Sequence, residues 1–375
     1  MSKKKQIFIA FLGNPFHDSR ITNLKKSLED NFCDVKVIGF DWTTPKFKTY
    51  RDESTVVYKL SKTKFSIFFY ASFKLLLLKE LFKTKADLYF AEEIYSLPFV
   101  KFRSYFNNAK VYYNSRELYA FLGGLRNRKF IQKIFTTLER IFIHQVDLVL
   151  TTGEMDSEFL HKFYGIKNTL VIRNIPKFTR VTDKVDLRKK LSLPENVKIL
   201  LYQGVLIDGR GIELVISNLN NIPNSVLVLV GDGERKLKWQ KYAEEMNVAD
   251  RVFFLGTIPQ EELINYTAAG DIGVCLIENI SVSYYHALPN KLFEYIMAGL
   301  PVISSALPQM KNIVEKYNVG KVVDLEVSQR IDSAINEMIN DQEKLNVYKN
   351  NCSFAAQELN WDVEFSKVKD HLLNF

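Results

Sequence analysis

The chain has 375 residues, of which 47% are hydrophobic and 13% aromatic. This length suits two domains, and the hydrophobic content excludes a globally disordered chain. The net charge of +8 is uneven, because residues 1–177 carry +13 and residues 178–375 carry −5. A basic first half favours an anionic surface or substrate there, although a lysine-rich composition would also explain the total charge.

The first half alternates short β-rich segments with helical patterns, which is typical of a parallel sheet with crossover helices. We interpret MSKKKQIFIA as the start of a strand rather than a signal peptide, because its apolar run is short. TLVIRNIP ends in a proline and precedes a polar stretch that we interpret as an interdomain linker. The predicted strands lie at residues 6–12, 34–40, 86–91, 110–115 and 147–152.

The most apolar segment is KFSIFFYASFKLLLLKELF, residues 64–82. Lys74 and Lys79 interrupt it, so no run approaches the roughly 20 apolar residues that a membrane-spanning helix needs. Two interpretations stay open. The segment fits a helix lying on a lipid surface with its lysines reaching the headgroups, and it fits an ordinary core helix equally well. The basic residues form no nucleic-acid-binding motif.

The alternating pattern restarts after the linker, which predicts a second α/β half in tandem with the first. In sheets of this kind ligands bind beyond the carboxyl ends of the strands. The last helices, from about residue 330 to 375 with Trp361 as an anchor, are long enough to cross back to the first half. The three cysteines are widely spaced, form no metal pattern and indicate a reducing compartment. The predicted strands lie at residues 197–204, 225–233, 251–256, 271–276, 300–305 and 321–325.

Glu294 is the only charged residue between Leu292 and Leu300. Pro289 and Asn290 predict a helix start with Asn290 as the N-cap, and Gly299 predicts its end. The unpaired amides at this helix start, with Lys291 beside them, form a binding place for a phosphate. A carboxylate one turn further suits a diol such as ribose. The alternative is a structural ion pair of Glu294 with a Lys or Arg, and burial requires a partner in either case.

A second phosphate candidate is YQGVLIDGRGIELVI, residues 202–216. A strand ends at Gly204, and Arg210 precedes a helix that starts near Gly211. Glycines let backbone amides approach an anion, and the guanidinium adds a planar set of donors. The segment lacks the P-loop pattern, and a plain turn is the alternative interpretation.

With PNKLFEY and the QG…RG loop, the chain resembles the second domain of retaining glycosyltransferases of the GT-B fold, family 4 (glycosyl transferases group 1). GNPFHDSR, ADLYFAEEIYSLP, VYYNSRELY and VIRNIP resemble that family's first-domain motifs and hinge. The resemblance implies an α/β GT-B fold, with two Rossmann-like domains facing a cleft. The domains expected are an acceptor domain at 1–177, a donor domain at 178–355, and a helix at 356–375 that packs back on the first domain.

The resemblance also implies the roles of individual residues. Glu294 would hold the ribose hydroxyls, while Arg210 and Lys291 would hold the diphosphate and, with His286, form the catalytic set. No metal or cofactor is expected. The other expected donor contacts are Gly204, Gly233, Leu255, Gly256, Asn290 and Leu292, and the expected acceptor contacts are Gly13, Arg20, Glu92, Arg116 and Glu117. From the residues alone, Glu92 and Glu93 also fit a solvated loop, and Asp18 and Arg20 also fit a helix N-cap and a surface charge.

The chain departs from the family pattern at two positions. The family often has two glutamates spaced eight apart, and His286 stands at the first position, which leaves the donor sugar open. Arg116 stands where relatives often carry histidine. Arginine cannot act as a base at neutral pH but binds a phosphate or a carboxylate. Either the acceptor is anionic or the site has lost part of its function.

The function expected is retaining transfer of a sugar from a UDP- or GDP-sugar to a glycan or lipid-linked acceptor in surface polysaccharide or glycoconjugate synthesis. The expected location is cytoplasmic, peripheral on the inner face of the cytoplasmic membrane, with an anionic membrane surface as a partner of the basic first half. The departing phosphate can take the acceptor proton, so a protein base is optional. Two alternatives are a nucleotide-sugar 2-epimerase and a non-catalytic nucleotide-sugar or glycan-binding protein. The sugar, the base, the acceptor, the linkage and the oligomeric state stay open.

Overall fold

The computed structural model describes residues 4–44, 46–61, 66–325 and 331–375. The chain forms two compact units, one from its N-terminus to Asn174 together with Glu364–Phe375, and one from Ile175 to Val363. In the described ranges, no helix combines the length and the hydrophobicity that crossing a bilayer requires. The first two residues of the predicted 64–82 segment and residue 330 of the last predicted helices lie outside the described residues.

The first unit is built on an eight-stranded sheet with the order β3-β4-β2-β1-β5-β6-β7-β8. All neighbours are parallel except β3 and β4, which form an antiparallel edge that the sequence analysis did not predict. The five predicted strands are confirmed, with ends that differ by at most two residues. The strands are β1 Lys5–Phe11, β2 Cys33–Asp41, β3 Tyr50–Arg51, β4 Thr55–Lys59, β5 Leu88–Glu92, β6 Lys110–Ser115, β7 Leu148–Thr151 and β8 Thr169–Val171.

The helices of the first unit cover this sheet. In α2 the side chains of Phe73, Leu77 and Leu81 are buried at the four-residue spacing of one helix face. The core-helix interpretation of this segment therefore holds for its inner face, whereas its outer face carries exposed apolar side chains. The helices are α1 Ser19–Asp30, α2 Ser66–Lys83, α3 Leu97–Ser104, α4 Lys129–Ile143 and α5 Glu154–Tyr164.

The second unit has a six-stranded, fully parallel sheet with the order β11-β10-β9-β12-β13-β14. Its first strand lies in the middle and the chain winds outward on both sides, which is the doubly wound Rossmann arrangement. All six predicted strands are present: β9 Lys198–Gln203, β10 Ser225–Val230, β11 Val252–Gly256, β12 Ile272–Cys275, β13 Val302–Ser305 and β14 Gly320–Val323. The helices are α6 Leu187–Lys190, α7 Ile212–Asn218, α8 Lys236–Glu245, α9 Gln260–Thr267, α10 Val282–Tyr285, α11 Asn290–Met297, α12 Pro308–Tyr317, α13 Ile331–Asn340 and α14 Gln342–Glu358.

The last helix, α15 Trp361–Leu373, begins in the second unit and ends in the first. Lys5 Nζ donates hydrogen bonds to the carbonyls of Leu373 and Phe375 at 2.5 and 2.9 Å. The Arg173 amide donates to Glu364 at 3.0 Å. The expected return of the C-terminal helix to the first domain is therefore confirmed.

Each sheet reverses its winding direction beside its first strand, between β1 and β5 in one unit and between β9 and β12 in the other. The loops that leave the two strands at such a point run to opposite faces of the sheet and open a crevice at its carboxyl edge. The candidate site residues lie at these two edges.

Candidate active site

The helix that carries Glu294 is α11, Asn290–Met297, and Gly299 with φ +71° follows its end as predicted. The prediction that Asn290 caps this helix is wrong. Pro289 occupies the cap position with φ −78°, and Asn290 is the first helical residue. Because a proline side chain cannot accept a hydrogen bond, the first amides of α11 have no side-chain cap.

The partner of Glu294 is a neutral amide. Gln203, the last residue of β9, donates from Nε2 to Glu294 Oε2. Thr267 donates to Gln203 Oε1 at 2.6 Å, which directs the Gln203 amide nitrogen towards the carboxylate. Burial raises the pKa of Glu294, while hydrogen bonds from Gln203 and Gln260 act in the opposite direction. The nearby charge of Lys291 also acts to lower this pKa. A carboxylate whose hydrogen bonds come from neutral amides retains acceptor capacity for a diol.

Lys291 lies one turn before Glu294, and only 8% of it is exposed. Its Nζ is 3.7 Å from the centroid of the Tyr202 ring. Within the described part of the chain, no carboxylate oxygen lies within 4.0 Å of this nitrogen. Burial lowers the pKa of Lys291 to about 7. A cation held in this way gains its proton when an anion arrives.

Arg210 lies in the loop between β9 and α7, with its guanidinium carbon 4.9 Å from the centroid of the Tyr284 ring. Its charge also acts to lower the pKa of Lys291, because the two cations are close. The Gly211 amide at the start of α7 donates to Glu278 at 3.3 Å. The amide of the residue that precedes α7 is therefore already paired, and the Arg210 side chain supplies a positive charge at this loop.

The loops that follow β9, β10 and β11 touch each other. The Gly204 amide donates to Val230 at 2.9 Å, and the Gly231 amide donates to Gly256 at 2.8 Å. A Cβ atom on Gly231, which has φ +134°, would lie 2.1 Å from the Gly204 carbonyl oxygen. Only glycine fits there. The structure thus brings the predicted Gly204, Gly256, Gly233 and Leu255 to the same sheet edge as Lys291 and Glu294.

Two other predicted donor residues are placed differently. The Leu292 side chain is 0% exposed in the core of the second unit, so a side-chain contact with a ligand is not available and only its backbone remains. His286 follows α10, and its carbonyl accepts a hydrogen bond from Gln309 at 2.5 Å. The ring centroid of His286 lies 6.0 Å from that of Tyr285.

In the first unit, a pocket of about 700 Å³ opens at the carboxyl edge of the sheet. Arg116 and Glu117 line it, as expected of acceptor contacts. Arg116 donates to Asp18 at 2.7 Å, so its charge is compensated within the pocket wall. Asp18 also caps α1, since it accepts from the Ile21 amide at 2.9 Å. The pocket is lined by Phe11, Leu12, Asp18, Trp42, Phe69, Tyr70, Glu93, Tyr95, Arg116, Glu117, Tyr119, Leu122, Thr152 and Asn174.

Three predicted acceptor residues do not line this pocket. Arg20 is 1% exposed and donates to Asn114 at 2.8 Å, and the Asn114 amide donates to both oxygens of Glu92 at 3.0 and 2.9 Å. This buried network lies at the end of β5 and β6, and burial lowers the pKa of Arg20 to about 10. Gly13 lies in the turn after β1, where its carbonyl accepts from the Phe40 amide. In this structure none of the three reaches a ligand in the pocket.

Glu93 also lines the pocket. From the sequence alone it is considered only together with Glu92, as one of two acids that follow a strand, and not among the expected acceptor contacts. It has a left-handed backbone with φ +76°, and burial raises its pKa to about 8. The AEE motif is visible in the sequence. The backbone turn that directs Glu92 into the interior and Glu93 towards the pocket is visible only in the structure.

The described residues contain no group of three or more His, Cys, Asp or Glu arranged to hold a metal ion. The metal-independent reaction stays a prediction.

Known proteins resemble the chain in sequence and in fold. Residues 183–353 match the family described as glycosyl transferases group 1. A relative is the UDP-Gal:alpha-D-GlcNAc-diphosphoundecaprenol alpha-1,3-galactosyltransferase of Escherichia coli, 30% identical over 52% of this chain and 51% of that protein. The chain spans about half the length of the curated relatives that it matches.

Solved structures match nearly the whole chain. Sucrose-phosphate synthase from Thermosynechococcus elongatus superposes with a TM-score of 0.79 at 19% identity, covering 98% of both chains. HepE from Anabaena, in complex with UDP-glucose, gives a TM-score of 0.77 at 16% identity, covering 98% of this chain and 100% of HepE. At these identities the likeness establishes the fold, which is that of the GT-B glycosyltransferases.

Proposed function

We propose that the chain, whose residues 183–353 match the family described as glycosyl transferases group 1, is a retaining glycosyltransferase using a UDP- or GDP-sugar. The observation that carries the proposal is the cluster at the edge of the second sheet. There Glu294, which accepts hydrogen bonds from side-chain amides, lies on the same helix as the buried Lys291, and Arg210 lies close to Lys291. A nucleoside diphosphate has a ribose diol, which the carboxylate can bind, and an anionic diphosphate, which the two cations can bind.

In the proposed reaction, the anomeric C–O bond to the diphosphate breaks and the acceptor oxygen bonds to the same face of the sugar. The acceptor proton passes to the departing phosphate oxygen. Negative charge grows on the diphosphate as the bond breaks. Arg210 and Lys291 stabilise that charge, and preorganised groups of this kind account for several kcal/mol of barrier reduction. His286 is proposed to hydrogen-bond the donor sugar.

Thermal unfolding with UDP, GDP, ADP and their sugars tests the proposal. A ligand at 100 times its Kd stabilises the folded state by about 2.7 kcal/mol, so UDP or GDP should raise the Tm measurably. Release of the nucleoside diphosphate from the matching sugar donor, dependent on a lipid-linked glycan acceptor, completes the test. Nucleotide binding without any release from a broad acceptor pool would instead favour the non-catalytic binding protein.

The first unit offers a surface for the proposed membrane partner. We define the three-helix surface as the exposed face of α2, α3 and α4, with α3 contacting the other two helices. The only acids on these helices, Glu80 and Glu139, are buried. Exposed apolar groups beside basic ones suit an anionic lipid surface. The apolar residues are Ile67, Phe68, Leu75, Phe82, Phe102, Phe130, Ile134 and Ile141, and the exposed basic residues are Lys74, Lys79, Lys83, Lys129, Lys133 and Arg140.

We expect the protein to sediment with vesicles that contain phosphatidylglycerol, to bind phosphatidylcholine vesicles less, and to dissociate as salt rises. Leu75→Ser should weaken the partition roughly tenfold, because it removes one apolar side chain from the lipid. Leu237→Ser on α8 is the matched control, since Leu237 is also largely exposed but lies in the second unit. An equal loss of vesicle binding in both variants would contradict the assignment of lipid binding to the three-helix surface.

A further inference from the structure

The pocket of the first unit has an aromatic wall. Tyr70 stacks on Tyr95 with ring centroids 5.8 Å apart, and Trp42 meets Phe69 edge to face at 5.4 Å. The Tyr119 ring lies edge to face with Tyr95 at 6.0 Å. Aromatic faces combined with a few polar groups suit a ligand that has both an apolar face and hydroxyl groups. A sugar ring has both.

The charges of the pocket disfavour an anionic ligand. Among the lining residues of the described chain, Arg116 is the only Lys or Arg, and its guanidinium is bonded to Asp18 at 2.7 Å. The same guanidinium lies 5.0 Å from the Phe11 ring centroid, so a neighbour occupies one of its faces as well. A phosphate or carboxylate on Arg116 would lie beside the carboxylates of Asp18 and Glu117, which line the same pocket and repel an anion. The arginine that raised the question of an anionic acceptor is therefore already neutralised.

Glu93 supplies the polar group that an uncharged ligand needs. It lines the pocket beside the aromatic wall, and its backbone is held in place by two contacts, from its amide to the Asn114 carbonyl at 3.1 Å and from Ser96 Oγ to its carbonyl at 3.2 Å. Because burial raises the pKa of Glu93 to about 8, the carboxyl group is mostly protonated at neutral pH. A protonated carboxyl group both donates and accepts, as a sugar hydroxyl does.

We propose that this pocket binds an uncharged sugar ring, with the ring against the wall that Tyr70 and Tyr95 form and a hydroxyl on the Glu93 carboxyl group. Identification of this sugar as the acceptor rests on the proposed glycosyltransferase function. Glu93 is then a specificity-determining residue that selects a neutral sugar over a uronic acid or a sugar phosphate.

The binding test uses the full-length protein and saturation-transfer NMR. The ligands are the methyl glycosides of glucose, galactose, mannose and N-acetylglucosamine, with methyl glucuronide and glucose 6-phosphate as charged counterparts. We expect at least one neutral glycoside to bind about tenfold more tightly than either charged ligand. Preference for a charged ligand, or no binding of any neutral glycoside, would overturn the proposal.

Variants locate the binding in the pocket. Glu93→Ala should weaken the neutral glycoside about tenfold, because it removes a hydrogen-bonding group, whereas Glu93→Gln should retain affinity within about threefold at pH 7. Tyr70→Ala should also weaken it, and Tyr105→Ala, an exposed tyrosine of the same unit outside the pocket lining, is its control. Unchanged affinity in a folded Glu93→Ala variant would contradict the proposal.

The pH dependence separates hydrogen bonding by Glu93 from a merely structural role. A bound sugar excludes water from the carboxyl group and favours its protonated form, so the wild-type affinity should fall as pH rises from 8 to 10. Glu93→Gln should show no such fall, and a fall of equal size in Glu93→Gln would exclude Glu93 as its origin and contradict the proposal. The groups that face Glu93 and share its environment are Asp18, Glu92, Tyr95, Arg116, Glu117 and Tyr119.

The proposed transferase function and the proposed sugar pocket can be disproved independently of each other. Binding of a neutral glycoside without any binding of a nucleotide or its sugars would overturn the transferase function and leave the sugar pocket in place. Nucleoside diphosphate release without any glycoside binding, or with unchanged acceptor KM in Glu93→Ala, would leave the transferase and overturn the pocket.

Discussion

We expect Glu294→Ala to lower kcat/KM for the nucleotide-sugar at least about 100-fold. The physical reason is the loss of two hydrogen bonds from ribose hydroxyls to a carboxylate, each contributing about 1.5–3 kcal/mol. A free-energy loss of 1.4 kcal/mol corresponds to a tenfold change. Calorimetric titration of the nucleotide and steady-state kinetics measure the two parts of the effect, because the ribose contact is expected in both the ground state and the transition state.

Glu294→Gln tests the charge with little change of shape, and we expect an intermediate loss. Glu315→Ala is the control, because Glu315 is a largely exposed acid on α12 in the same unit. Glu294→Ala leaves Gln203 Nε2 without its acceptor, so the Tm of each variant must be measured beside its activity. Nucleotide affinity that stays at the wild-type value in a folded Glu294→Ala variant would contradict the assignment of the donor site.

The second large effect concerns Lys291. We expect Lys291→Met to weaken nucleoside diphosphate binding about 100-fold, because a buried cation paired with a phosphate forms a charge-assisted contact. In the wild type the pKa of Lys291 is lowered by burial to about 7, so above pH 7 the free protein must gain a proton to bind. Wild-type affinity should therefore fall with rising pH, by at most tenfold per unit, and Lys291→Met should lack this slope.

Lys291 gives the stability of the free protein a pH dependence opposite to that of nucleotide affinity. The pKa of Lys291 is about 7 in the folded protein and near the ordinary value of 10.5 in the unfolded chain. Between these values the unfolded state binds more protons, so the free energy of unfolding rises with pH from 7 to 10.5, and the cost of burying the charge is fully present below pH 7. Lys291→Met should raise the Tm at pH 6.5 by a few degrees.

Lys311→Met, at a half-exposed lysine of α12, is the control for both measurements. Proton uptake on nucleotide binding gives an independent check, through calorimetry at pH 8 in buffers of different ionisation enthalpy. Binding of UDP or GDP to the wild type without proton uptake would contradict a role for Lys291 at the diphosphate.

The strands of both sheets were predictable from local sequence. Most are short runs of Val, Ile, Leu and aromatic residues, each buried on both faces, and they end in glycine or small polar residues. The exceptions are β8 Thr169–Val171, which was not among the predicted strands, and the edge formed by β3 Tyr50–Arg51 and β4 Thr55–Lys59. There the strands are short, Tyr50 and Arg51 are exposed, and charged residues separate them, so the hydrophobic pattern is weak.

The donor-side candidates were also found from sequence, because they depend on local features. A proline before a helix, a glycine after it and one acid among apolar residues belong to a single segment, PNKLFEYIMAG. The identity of the Glu294 partner was not local. Gln203 is 91 residues away along the chain, and no pattern distinguishes its amide from other polar residues at strand ends.

The acceptor-side residues needed the tertiary structure most. Glu92 and Glu93 are adjacent in the sequence, but Glu92 is buried with Arg20 in a network around Asn114, whereas Glu93 lines the pocket. Arg116 and Asp18 are 98 residues apart and cancel each other's charge.

The amino-acid sequence by itself determined the two Rossmann-like halves, the order of their strands along the chain and the segment that carries Glu294, because hydrophobic periodicity and helix-end signals act over a few residues. The tertiary structure alone decided which charges are paired, which acids are buried and which helix faces stay exposed. Those properties depend on contacts between segments that are far apart in sequence, and the electrostatic energy of a side chain is set by the neighbours that folding places around it.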